Sequence, residues 1–290
     1  MGYGLMPLFA SWATAGGASV EMMLLGRFFL ASVILGFYLL SHQISLKIEL
    51  NQFGQLLLIG GVGLVVTTQM LFYSYRLIAV SQATALHFIY PVVVMIFAVW
   101  LKLESSNFSK IIALLLAFLG VWFLTNNSGQ KQFSILGICL ALGSGISYAV
   151  YVVGVALPKI SQLNRWLISF YTSLIATVCY LVIAISRSNF SFQLEISAWS
   201  GMFALAIVST VLAQLFLIRG IAIIGPFQAA ILSMFEPLVG VMVGLVIFAE
   251  KLNIYNYLGM ILLIAALFLV ILGREISRRK LSRITVNSCD

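Results

Sequence analysis

Runs such as IIALLLAFLGVWFL (111–124) and GMILLIAALFLVILG (259–273) are continuously apolar, and runs of this kind recur along the whole chain. A helix crosses a bilayer with about 20 largely apolar residues, whereas a membrane barrel strand needs about ten with strict alternation. Continuity therefore selects helices. The breaks between runs predict ten spans, near 1–18, 22–41, 54–75, 80–101, 108–125, 134–156, 166–186, 198–219, 225–248 and 254–273. The expected fold class is an all-α integral membrane protein with ten transmembrane helices. Composition agrees, because 8% of residues are charged where a soluble domain carries about 25%.

The net charge of +8 is read as orientation rather than as an affinity for nucleic acid. With the N-terminus in the cytoplasm, Lys47, Lys102, Lys110, Lys159, Arg165, Arg219, Arg274, Arg278, Arg279, Lys280 and Arg283 fall on the inner side, and Arg27, Arg76, Lys131, Arg187 and Lys251 on the outer, 11 against 5. Positive loops stay inside, so both termini are expected in the cytoplasm. Five of the inner charges belong to the tail REISRRKLSR, which can also touch anionic lipid. The three cysteines, Cys139, Cys179 and Cys289, form neither a disulfide framework nor a metal spacing. The first Lys or Arg is Arg27, so no basic flank marks a signal peptide at the start.

The chain is written twice. A shift of 146 residues sets Gln82 and Ala83 on Gln228 and Ala229, Leu86 on Leu232, Pro91 on Pro237, Val93 on Val239, Glu104 on Glu250 and Asn107 on Asn253. The halves are 1–130 and 131–273, joined by NNSGQKQ and followed by the tail 274–290. Five spans is an odd number, so the second copy is expected to enter the membrane inverted. Inverted repeats are typical of secondary transporters, with the binding site near midplane between the repeats.

The segment QAAILSMFEPLVGVMVGLVIFAEKLNIYNYLGMILLIAALFLV (228–270) resembles the EamA family of the drug/metabolite transporter superfamily. Glu-Pro stands at the centre of one span, a glutamate at its end, and a glycine opens the last span. The positions are Glu236, Pro237, Glu250 and Gly259. In the first half Pro91 and Glu104 match, while Tyr90 and Ala113 stand where the second copy has Glu236 and Gly259. The resemblance implies two inverted five-helix repeats that move small metabolites, often outward, across a bacterial inner membrane. The family's first span usually starts about ten residues earlier, as FSILGICLAL (133–142) does in the second copy. The first helix is therefore expected to be truncated, or Met1 to be an internal start.

Candidate site residues come from the polar positions inside the spans. An intramembrane carboxylate is costly and faces a pathway by default, which makes Glu236 the leading candidate; the alternative is a protonated packing residue. On one helical face, Ser233 lies a turn from Glu236, and His87 a turn from Tyr90. His87 reads first as a hydrogen-bonded packing residue, with a proton relay as the alternative. Pro91 and Pro237 are static kinks or hinges. Gln69 and Gln214 point inward or bond between helices. Tyr148 and Tyr151, stacked with Ser144 in LGSGISYAVYVV (142–153), are either interfacial anchors or a pocket wall. Glu104 and Glu250 read as solvated helix ends beside Lys102 and Lys251. Gly240 and Gly244 form a GxxxG suited to close packing within the monomer.

No catalytic, cofactor-binding or metal-ligating pattern appears. GxxxxGK[ST], HExxH and GxSxG are all missing, which removes the sequence signals for an ATP-driven pump, a zinc protease or a serine hydrolase. The expected partners are a small-molecule substrate, protons if Glu236 titrates, and lipid. A secondary transporter, with export of amino acids or related amphipathic compounds by alternating access, is the leading reading. A non-transporting membrane sensor and an intramembrane enzyme are the competitors.

Overall fold

The computed structural model describes residues 2–104, 108–125, 134–186, 194–236, 238–239 and 254–269. A 3-10 turn, Gly2–Leu5, leads into α1 (Met6–Ala15). It is followed by α2 (Val20–Ser41) and α3 (Leu50–Leu77). Next come α4 (Val80–His87), α5 (Tyr90–Trp100) and α6 (Phe108–Thr125). The second half supplies α7 (Ile135–Ala156), α8 (Arg165–Ser186), α9 (Ile196–Ile224), α10 (Pro226–Ser233) and α11 (Ile254–Leu269).

Six stretches among the described residues are long and apolar enough to cross a membrane: Val20–Ser41, Leu50–Leu77, Gln82–Trp100, Ile135–Ala156, Arg165–Ser186 and Ile196–Ile224. Phe108–Phe123 and Ile254–Leu269 are apolar but shorter. The ninth expected span continues beyond α10 into residues outside those described. Phe37, Leu40, Trp100, Val182, Phe216 and Ile261 project outward. An apolar surface on this scale suits surrounding hydrocarbon, not water.

Three local differences from the sequence reading have plain causes. α1 stops at Ala15 instead of running to 18, because Gly16 and Gly17 follow and Gly17 takes φ 88°. A left-handed backbone there costs glycine little and ends the helix. α2 begins at Val20, two residues earlier than expected, because the Ser19 side chain accepts from the Met22 N–H at 3.2 Å and caps it. α3 extends from 50 to 77 rather than 54 to 75, started by a bond from the Glu49 N–H to Gln52 Oε1 at 3.0 Å.

The repeat is visible in the irregularities. α3 contains a π-helical segment, Leu58–Val66, and α9 contains another, Ile207–Leu212. Both end at the same repeat position, since 66 plus 146 is 212. α4 ends at His87 and α10 ends at Ser233, again 146 apart. The spans with central proline are thus not continuous kinked helices. Each breaks in a short turn, Phe88–Ile89 or Met234–Phe235, and in the first half Tyr90 and Pro91 then open a new helix. Proline suits a first helical turn, where its missing N–H would go unused anyway.

Candidate functional site

α7 collects most of the expected residues. His87 Nδ1 lies 2.9 Å from the Ser144 Oγ of α7, and Ser144 in turn donates to the Ala141 carbonyl at 2.6 Å. The His87 ring is 5.5 Å from both Tyr90 and Tyr148. Tyr90 meets Tyr148 edge to face at 4.8 Å, and Tyr148 stacks on Tyr151 at 5.8 Å. Edge-to-face and offset stacks at these separations are the favoured aromatic geometries. His87, Tyr90, Tyr148 and Tyr151 therefore form one aromatic cluster, walled by α4, α5 and α7. Tyr148 and Tyr151 are buried within the protein. The close fit relies on Gly145, where a Cβ would strike the His87 carbonyl.

The cluster joins the two halves. The Tyr90 hydroxyl, buried with the ring, donates to the Ala230 carbonyl of α10 at 3.2 Å. Ser233, at the end of α10, bonds back to the Ala229 carbonyl at 3.1 Å. Glu236 follows the break and is half-buried, and Gly4 sits so close to its carbonyl that a Cβ would clash. The N-terminal turn therefore packs on the acid-bearing segment. Pro237, Gly240, Gly244 and Glu250 lie outside the described residues.

Glu104 departs from the reading of a solvated helix end paired with Lys102. Its Oε1 accepts from the Phe227 N–H at 3.0 Å, and its Oε2 pairs with Lys110 at 2.7 Å. It thus caps the first turn of α10, a helix of the other half. Gly225 precedes that turn with φ 89°, and any Cβ there would run into the Glu104 carboxylate. The pair between Glu104 and Lys110 is largely shielded.

Sequence reasoning misplaced Arg27 and overlooked Glu21. Both are about as buried as the core, at 2% exposure. Arg27 is seven residues into α2, about 10 Å along the axis, and its charge is buried rather than free on the outer side. Its Nε donates to Thr210 Oγ1 at 2.7 Å and its Nη2 to the Ser209 carbonyl at 2.8 Å. Its Nη1 lies 3.0 Å from Met6 Sδ, and its guanidinium sits 5.0 Å from the Phe28 ring centre. Glu21 accepts from the Tyr73 hydroxyl at 2.8 Å. The available signal was position: both charges fall within a turn or two of an otherwise apolar run.

Arg27 binds the π segment of α9, and the π segment of α3 is bound in a matching way from the other half. The Tyr180 hydroxyl of α8 donates to the Val65 carbonyl at 3.1 Å and lies 2.7 Å from Thr68 Oγ1. Ser147 of α7 donates to the Val62 carbonyl at 2.6 Å. A π turn shifts each bond from i+4 to i+5, so carbonyls there are open to side chains. Gly63 lets the backbone of Tyr151 lie directly against this joint.

The expected glutamines are not part of the aromatic cluster. Among the described residues Gln69 Oε1, which is buried, has no hydrogen-bond partner, and Gln214, at 0% exposure, has none for either amide atom. A depression of about 590 Å³ opens among the helix ends lined by Leu103, Arg165, Trp166, Ile218, Arg219 and Gly225. Among the described residues no group of three or more His, Cys, Asp or Glu side chains could hold a metal ion.

Apolar helices, breaks repeated at one interval and a polar-aromatic cluster between the halves define a polytopic membrane protein of the transporter type. The chain belongs to the EamA-like transporter family, whose model matches it twice, over residues 1–126 and 135–272. Two Bacillus subtilis (strain 168) proteins are similar. The uncharacterized transporter YwfM is 25% identical over 167 residues, 55% of this chain and 53% of that protein. The uncharacterized transporter YvbV is 25% identical over 211 residues, 69% of this chain and 67% of that protein. The chain thus aligns with roughly half to two thirds of each relative's length. A solved structure described only as a crystal structure of a protein superposes with a TM-score of 0.78 at 15% identity, covering 93% of this chain and 98% of the other, a likeness of fold.

Proposed function

We propose that the protein is a secondary transporter that exports small metabolites, amino acids or related amphipathic compounds, by alternating access between two inverted five-helix halves. The observation that carries the reading is the matched pair of helix breaks, at Phe88–Ile89 and Met234–Phe235, flanked by the His87, Tyr90, Tyr148 and Tyr151 cluster. Two broken helices facing each other supply loose backbone at mid-depth, and non-helical backbone in a membrane is tolerated where it lines a cavity or is buried in protein. An aromatic wall with hydroxyl and imidazole groups suits amphipathic solutes better than bare ions. Glu236 serves as the coupling carboxylate, with Pro91 and Pro237 at the hinges and Gly240 and Gly244 in helix packing. The units are 1–130 and 131–273 with the basic tail 274–290.

Both termini lie in the cytoplasm. Withdrawing Arg27 from the outer tally leaves Arg76, Lys131, Arg187 and Lys251, four charges against eleven, which strengthens the positive-inside assignment.

Counterflow in proteoliposomes tests the reading. Wild-type protein should exchange radiolabelled amino acids without chemical change, and an imposed pH gradient should drive net uptake. Glu236→Gln should keep exchange while losing the response to the gradient. Absence of exchange for every solute class offered would remove the transporter assignment.

A further inference from the structure

The two π joints are related by the repeat but differ at one polar position. Thr68 in α3 corresponds to Gln214 in α9, since 68 plus 146 is 214. Thr68 is satisfied twice, by Tyr180 and by the Leu64 carbonyl at 2.8 Å. Ile34 and Leu35 of α2 pack in the apolar cluster containing Val211 and Leu215 of α9, so these side chains beside the second joint have nothing to offer an amide. Arg27 is engaged elsewhere, at Ser209 and Thr210.

Gln214 is therefore fully buried with a carbonyl and an NH2 group that bond to nothing among the described residues. Buried amides in native proteins are nearly always paired, and a leucine would fill the same space without the desolvation cost. Nor is the amide isolated. Leu217 and Ile218, one turn on and on the same side of α9 as Gln214, belong to the apolar cluster that also holds Tyr148, Tyr151 and Ile168, and this part of α9 packs on α7. Ile218 lines the helix-end depression, whose rim carries Arg165 and Arg219. A carboxylate-attracting mouth thus lies one helical turn from an unused donor–acceptor pair.

We propose that Gln214 is the recognition group of a solute site reached through this depression, and that the site takes a small solute bearing a carboxylate and a neighbouring donor, the pattern an α-amino acid presents. The inference rests on the transporter reading and names its substrate-contact residue and class. The amide oxygen accepts from the solute ammonium, and the amide NH2 donates to its carboxylate.

The test has two arms. In full-length protein with Cys139, Cys179 and Cys289 replaced by alanine, Gln214→Cys should react with the small water-borne reagent methanethiosulfonate ethylammonium, and a mixture of amino acids should slow the reaction. Phe216→Cys, on the outward face, should stay inert. No reaction at position 214, or a rate indifferent to the mixture, overturns the proposal. In counterflow with the radiolabelled mixture, Gln214→Leu should lower exchange by about tenfold or more, as when a site built to bond polar groups loses its partner. Gln214→Asn should retain part of the rate. Exchange by Gln214→Leu at the wild-type rate overturns the assignment of the residue while leaving the transporter reading intact. Wild-type protein that exchanges no amino acid but does exchange nicotinamide overturns the substrate class alone, and one that exchanges neither overturns both readings.

Discussion

The joints in α3 and α9 solve one backbone problem with different chemistry. Each is a π segment ending at the same repeat position, and each is held by a helix of the opposite half. In α3 the holder is Tyr180, a neutral hydroxyl that reaches Val65 and Thr68. In α9 it is Arg27, a buried cation that reaches Ser209 and Thr210. At the α3 joint Thr67 bonds to the Gly63 carbonyl at 2.8 Å and Ser147 to Val62, and only Gln69 Oε1, just beyond Thr68, is left over among the described residues. The α9 joint keeps Gln214 unpaired. A duplicated framework can thus carry a latched joint on one side and a joint with spare bonding capacity on the other.

Removing the cation should break this comparison most strongly. Arg27→Met strips several charge-assisted bonds at once and should lower stability by about 2–4 kcal/mol, seen as a lower melting temperature of the purified protein in detergent. A fall no larger than that of Tyr180→Phe would show that the guanidinium is not the main tie at α9. Gln214→Leu should act in the opposite sense. Relieving an unpaired buried amide should raise stability by about 1–3 kcal/mol, and a melting point below wild type would mean that the amide has a structural partner.

Smaller effects sharpen the picture. Tyr180→Phe keeps the ring stack on Phe28 and removes only the hydroxyl, so it should cost about 0.5–1.5 kcal/mol. Hydrogen exchange should then quicken near Val65 and leave α9 unchanged. Glu104→Gln should cost about 0.5–1 kcal/mol, because the amide oxygen can still accept from Phe227 and only the shielded ion pair with Lys110 is lost. Glu104→Ala should cost more than Glu104→Gln; equal costs would argue that the cap on α10 contributes nothing.

The repeat was legible from Pro91 and Pro237 and their neighbours, because proline and its surroundings mark backbone breaks whatever the tertiary context. The aromatic cluster was partly legible, since Tyr148 and Tyr151 share a helical face, but its union with His87 and Tyr90 depends on how α4 and α5 dock on α7. The π joints left no trace. Leu58–Val66 contains three glycines and Ile207–Leu212 none, so one geometry arises from two compositions. Arg27 was counted as an outer-side charge of its span because its partners Ser209 and Thr210 lie 182 and 183 residues away. No local pattern announces such a pairing. The capping role of Glu104 was hidden for the same reason, its partner Phe227 being 123 residues distant.

The bonds that cross between the halves have an evolutionary reading. Arg27 and Glu104 of the first half serve α9 and α10 of the second, while Tyr180 of the second serves α3 of the first. Once each copy had come to depend on groups resident in its twin, neither could persist as a free-standing ancestor. Genes cut between the copies should therefore give fragments that are degraded when produced singly and recovered when produced together.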